Sequence, residues 1–118
     1  HLIGPLQRNK AREAVGLFDV VQSVDRKSLV DALAAEMHKQ QRQVACYLQV
    51  NTGEEPQKAG CLPADAEGLL AYAKAAGLCV EGLMCVPPMA TGAGGQHAAP
   101  HFALLAQMAA RFGLHGLS

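Results

Sequence analysis

Two kinds of apolar spacing alternate along this chain. Short, nearly continuous apolar runs are followed by longer stretches in which apolar residues recur every three or four positions. His1 to Ile3 reads as a strand ended by Gly4-Pro5, and a short helix is predicted over Asn9 to Val15 with Gly16 as its stop. Phe18 to Ser23 is a second strand, built on Val20 and Val21. Asp25 offers an N-cap for a helix to about Gln41, in which Leu29, Val30, Leu33, Ala34 and Met37 share one face. Arg26, Lys27, Asp31, Glu36 and Lys39 form its solvated side.

The run Val44 to Val50 is apolar almost throughout, as expected for a parallel strand covered on both faces. A polar loop leads to a helix from about Pro63 to Ala76, with Pro63 in its first turn and Gly77 as its stop. Cys79 to Val86 is the fourth strand, ended by Pro87-Pro88. The last helix starts near Pro100, carries Phe102, Leu105, Met108, Ala109 and Phe112 on one side, and stops at Gly113. Leu117-Ser118 reads as the start of a further strand.

Strands alternating with helices predict an α/β fold of parallel βα units with right-handed crossovers. Periodicity leaves two architectures open, a doubly wound sheet or a barrel. Four units in 118 residues is close to half of a (β/α)8 barrel of about 250 residues. A chain that begins on a strand and stops as another begins suggests a cut through a repeating array.

Composition narrows the partners. Ten basic and ten acidic side chains cancel, and the pI is near 7.1. No positive field favours nucleic acid or an anionic membrane surface. Two Tyr, three Phe and no Trp make a poor base-stacking platform. No apolar run approaches the roughly 20 residues that cross a bilayer, and no signal peptide is visible. Cys46, Cys61, Cys79 and Cys85 form no C-x-x-C pair and read as reduced, buried, structural residues of a cytoplasmic protein.

Four segments carry a resemblance. The opening H-L-I-G-P-L-Q-R-N-K is similar to the H-F-I-G-x-L-Q-x-N-K signature of the pyridoxal-phosphate homeostasis family, the YggS-like and PROSC-like proteins. F-D-V-V-Q-S-V-D resembles the next family strand, with Gln22 in place of a frequent His. L-Q-V-N-T-G-E-E-P-Q-K-A-G resembles an I-Q-V-N run followed by E-x-x-K-x-G, and V-E-G-L-M-C-V-P-P resembles a G-L-M-x-I block. The four stand in the family's order and span nearly the whole chain.

The resemblance implies an alanine-racemase-like (β/α)8 barrel of fold-type III that binds pyridoxal phosphate through a lysine imine. It implies a carrier or regulator in vitamin B6 homeostasis without established turnover. On that alignment residues 1–118 are a single partial domain holding the third to sixth barrel strands. The lysine-bearing strand would precede His1 and the phosphate-binding serine would follow Ser118. The cofactor is then held by the full-length protein and not by this piece alone. Unpaired strand edges would favour self-association. Two other readings stand beside this one: a racemase-like or decarboxylase-like enzyme on the same cofactor, and a structural fragment without ligand. The enzyme would need an acid–base residue such as a tyrosine, and neither Tyr47 in a strand nor Tyr72 in a helix suggests that role.

In a barrel, chemistry gathers at the carboxyl ends of the strands. Those ends carry Ser23, Asn51 and Met84, with the His1 to Gln7 segment at the first, and His1, Ser23, Asn51 and Met84 are the candidate cofactor-binding residues. Ser23 and Asn51 are equally ordinary turn formers, and Met84 ordinary core. No lysine falls on a strand; Lys58, in the loop after the third, is the weak substitute for an imine lysine. Gln7 to Lys10 opens a helix and suits an anion, although Asn9 as N-cap explains the same letters. T-G-A-G-G lacks the phosphate-loop spacing and lysine, and reads as a loop. His97 and His101 have metal-ligand spacing, but Pro100 starts a helix between them and no acidic residue or cysteine stands close, so no metal is expected. Glu54-Glu55 reads as solvated loop, and no catalytic residue is assigned.

Overall fold

The computed structural model of the chain describes residues 6–54, 59–86 and 98–117. Its elements are α1 (Ala11–Leu17), β1 (Val20–Val24), α2 (Lys27–Gln40), β2 (Ala45–Gln49), α3 (Ala66–Ala75), β3 (Cys79–Met84), α4 (Ala98–Phe112) and β4 (Gly116–Leu117). The expected first strand, His1 to Ile3, lies outside the described residues, as do Lys58, the T-G-A-G-G stretch, His97 and Ser118.

All pairings are parallel and the order is β1-β2-β3-β4. A doubly wound sheet reverses its order at a switch point, whereas a (β/α)8 barrel never does. One apolar cluster joins Leu29, Val30 and Leu33 of α2, Leu69 and Leu70 of α3, and Leu105 of α4 to Val21, Val24, Cys46, Leu48 and Leu83 of the strands. Burying this stripe, rather than local propensity, is what holds the helices on the sheet. The helices therefore cover one face and the strands run in sequence, as in half of a barrel.

Three helices end in the same way. After α2, α3 and α4 the residues Gln41, Gly77 and Gly113 take positive φ (50°, 95° and 73°). In each case the next amide reaches back five residues: Arg42 N–H to Met37, Leu78 to Ala73 and Leu114 to Ala109. The two glycines are the expected stops; Gln41 takes the left-handed turn without glycine's freedom.

Three local expectations are corrected. Gly16 lies inside α1, which runs on to Leu17, because Arg42 closes this end instead. Its guanidinium donates to the carbonyls of Val15 (2.8 Å) and Phe18 (3.1 Å) and pairs with Asp19. Asn9 is no cap: it sits within a 3₁₀ turn, Arg8–Lys10, that leads into α1. Nor does Asp25 cap α2. The extended Arg26 occupies the N-cap position, no side chain caps the helix, and the Asp25 carboxylate turns elsewhere.

No helix among the described residues is long and apolar enough to cross a membrane. Of the cysteines, Cys46 and Cys85 are buried as expected, Cys61 is half-buried, and Cys79, at the start of β3, is exposed; all four are free thiols. Burial pushes the Cys46 thiol up to about 12 and the Cys61 thiol up to about 11, the latter aided by Asp25.

Candidate cofactor site at the strand ends

Paired residues of adjacent strands project to the same face of a sheet. Val21, Val24, Cys46, Leu48 and Leu83 lie on the helix side. Gln49 and Met84, paired with each other one residue further on, therefore lie on the opposite face, the inner face of a barrel. Both are buried, as is Asn51 two residues beyond Gln49.

Ser23 reaches that face by a different route. Val21 pairs with Cys46 and Val24 with Leu48, so two residues of β1, Gln22 and Ser23, stand opposite Tyr47 alone. This is a β-bulge, which keeps both extra residues off the helix side. β3 repeats the device at the same level: Val80 pairs with Cys46 and Gly82 with Tyr47, leaving Glu81 as the extra residue. Beneath the strand ends the Tyr47 ring lies over Gly116, where a methyl group would meet its hydroxyl and ring. Gly82 in turn leaves room for the Gly116 carbonyl.

Two polar atoms on this face lack partners. Ser23 Oγ, in a residue 1% exposed, and Gln49 Oε1, in a residue 5% exposed, make no hydrogen bond. Leaving such groups buried and unsatisfied costs about 1–3 kcal/mol each, so they mark a place where a further polar group is accommodated. Met84 adds a polarisable thioether beside Gln49. Ser23 offers a donor and acceptor, Gln49 an acceptor and Met84 an apolar contact, a set that suits a flat ligand with hydrogen-bonding edges.

Three of the four sequence candidates thus share one region; His1 lies outside the described residues. Asn51 also has the turn role that its residue type suggests, since its carbonyl accepts the Glu54 amide at 3.1 Å. Gln49 is absent from the sequence candidates, while Gln22 enters there only in place of a family His and Tyr47 only as an unsuited acid–base residue. The signal for Gln49 was its amide in an otherwise apolar run, but without a register nothing told which face it took.

Other features stand apart. The Cys85 thiol, just past β3, is pushed up by burial, opposed in part by Thr52. Tyr72 lies on the helix layer, where its hydroxyl donates to Asp31 at 2.6 Å, and that bond pushes the phenol up. A cleft of about 570 Å³ opens beside the starts of α2 and α3, lined by Arg26, Lys27, Cys61 and Asp65 among others, and none of Ser23, Gln49, Asn51 or Met84 lines it. No described strand carries a lysine: Lys10 is in the 3₁₀ turn, and Lys27, Lys39 and Lys74 are in helices.

Known proteins resemble the chain along its length. A protein of Deinococcus radiodurans named "Pyridoxal phosphate homeostasis protein" is 38% identical over 118 residues, 100% of this chain and 54% of the relative. One of the same name from Pseudomonas aeruginosa is 36% identical over 100 residues, covering 84% of this chain and 44% of the relative. The chain spans about half the length of these curated relatives. The structure of PipY from Synechococcus elongatus superposes with a TM-score of 0.88 without PLP, at 33% identity over 99% of this chain and 57% of PipY. With PLP bound to PipY the TM-score is 0.79, at 32% identity and the same coverage. The family described as "Alanine racemase, N-terminal domain" matches residues 1–118, and the chain belongs to that family.

Proposed function

We propose that this chain is the middle of a barrel protein that binds pyridoxal phosphate and serves its homeostasis in the cytoplasm, as a carrier or regulator without turnover of its own. The observation that carries the reading is the pair of orphaned atoms, Ser23 Oγ and Gln49 Oε1, at the carboxyl ends of neighbouring strands with Met84 at hand. They fit the group: pyridoxal phosphate is a flat pyridine with polar substituents, so Met84 would lie against its ring and Ser23, Gln49 and Asn51 would meet its edges. The relatives named for pyridoxal phosphate homeostasis and the PLP-bound PipY support the same assignment.

When bound, the cofactor supplies an electron sink for amines. What these residues contribute is orientation of the ring and exclusion of water. In this reading residues 1–118 are a single partial domain, the third to sixth strands of the barrel. The cofactor lysine and the phosphate-binding serine belong to the rest of the barrel. Alone, residues 1–118 bind pyridoxal phosphate poorly and associate through their strand edges.

Titration of pyridoxal phosphate into the full-length protein tests this. A visible absorbance band of the protein-bound cofactor is expected, with no racemisation or decarboxylation of free amino acids. Absence of the band refutes cofactor binding, and turnover refutes the carrier role.

A further inference from the structure

Asp25 is an acid at the start of a helix that it does not cap, and its side chain is only 12% exposed. Its Oδ2 accepts the Gly60 amide at 3.0 Å, and its Oδ1 accepts Arg26 Nη1 at 2.7 Å. Arg26 Nη2 then donates to the Leu6 carbonyl at 2.6 Å. One polar chain thus joins Leu6, the end of β1 and the loop that follows β2.

The loop is held where the candidate site needs it. Val24–Leu48 is the last register pair between β1 and β2. Beyond it Cys61 forms a parallel bridge with Val50, its amide donating to the Gln49 carbonyl at 2.9 Å and its carbonyl accepting the Asn51 amide at 2.7 Å. The backbone of Gln49 and Asn51 is therefore tied to a loop residue, and the residue before it is tied to Asp25. Gly60 makes the close approach possible. A methyl group there would lie 2.7 Å from the Asn51 nitrogen and 3.0 Å from the Val50 carbonyl carbon, and its φ of +113° is one that side-chain-bearing residues rarely adopt.

We propose that Asp25 is a positioning residue of the mouth: through Gly60 it clasps the Cys61 bridge onto β2, fixes Gln49 and Asn51, and so sets how slowly the bound ligand leaves. The link to release rests on the cofactor reading above; the clasp itself does not.

The test uses the full-length protein. In Asp25→Ala, amide hydrogen exchange at Cys61 and Asn51 is expected to rise about tenfold while amides of α2 and β3 keep their rates, and release of pyridoxal phosphate quickens by about the same factor, as loss of one charge-assisted hydrogen bond implies. Asp25→Asn keeps an acceptor for the Gly60 amide and is expected to stay within about threefold of the parent in both readouts. Gly60→Ala presses on the Asn51 backbone directly and so marks the exchange rate of an opened bridge, which Asp25→Ala should approach, while Asp25→Ser, too short to reach the Gly60 amide, decides the matter if Asp25→Ala does not fold. Unchanged exchange at Cys61 and Asn51 overturns the clasp, and faster exchange with unchanged release overturns its role in retention. A parent protein that shows no bound-cofactor absorbance refutes the cofactor reading, and exchange alone then decides the clasp.

Discussion

Replacing Ser23 by alanine sets the needs of the fold against those of the site. The residue is 1% exposed and its hydroxyl has no partner, so the ligand-free protein bears a desolvation cost of about 1–3 kcal/mol there. Alanine removes that cost together with a single oxygen, a void of roughly 10 Å³ worth only about 0.2 kcal/mol. The ligand-free full-length Ser23→Ala protein is therefore expected to gain about 1 kcal/mol, a rise in Tm of about 2–4 °C at the length of its relatives, about twice that of this chain. Its affinity for pyridoxal phosphate is expected to fall about five- to tenfold, the worth of one lost hydrogen bond. Thermal melts with and without cofactor, beside an equilibrium titration, read both changes. A ligand-free variant about 1 kcal/mol less stable than the parent would refute the reasoning, because the hydroxyl would then be satisfied by the fold. Gln49→Leu is expected to move both quantities in the same directions.

Gly82→Ala places a methyl group against the Gly116 backbone, which cannot swing aside. A loss of about 3 kcal/mol in denaturant unfolding is expected, with amides of β4 exchanging faster. Arg42→Ala removes the donors that satisfy Val15 and Phe18, and about 2 kcal/mol of stability should go with it. Its exposed ion pair with Asp19 adds little, so Asp19→Ala should cost well under 1 kcal/mol. In thiol labelling of the native protein at pH 8, the exposed Cys79 reacts first among the four and Cys46 last, since burial pushes Cys46 up to about 12 and leaves about one thiolate in ten thousand. The raised thiols also fix a sign: from the ordinary value of 9.0 toward about 12 the folded state holds protons that the unfolded chain releases, so stability present below pH 9 declines as pH rises through this window, measurable as a falling Tm.

Much of the secondary structure is legible in the residues themselves. Apolar runs centred on Val20-Val21, on Val44 to Val50 and on Cys79 to Val86 became β1, β2 and β3. The three-to-four spacing from Leu29 to Met37 became the buried face of α2. Gly77 and Gly113 stop helices because glycine tolerates the left-handed turn that a Schellman closure needs. Where the expectation failed, a distant partner had taken over a local task. Arg42 closes α1, so Gly16 was free to be helical, and the Gly60 amide draws the Asp25 carboxylate away from α2.

Local spacing set which segments are strands and helices, because a strand's period of two and a helix's period of 3.6 are written into neighbouring residues. It also brought Ser23, Asn51 and Met84 to strand ends. Only the tertiary structure decided that the sheet runs in unbroken order, that a bulge in β1 turns Gln22 and Ser23 toward the Tyr47 face, and that Cys61 bridges the end of β2. Each of these depends on register between segments far apart in the chain, and a one-residue slip, which no local pattern forbids, would turn every side chain of a strand to its other face.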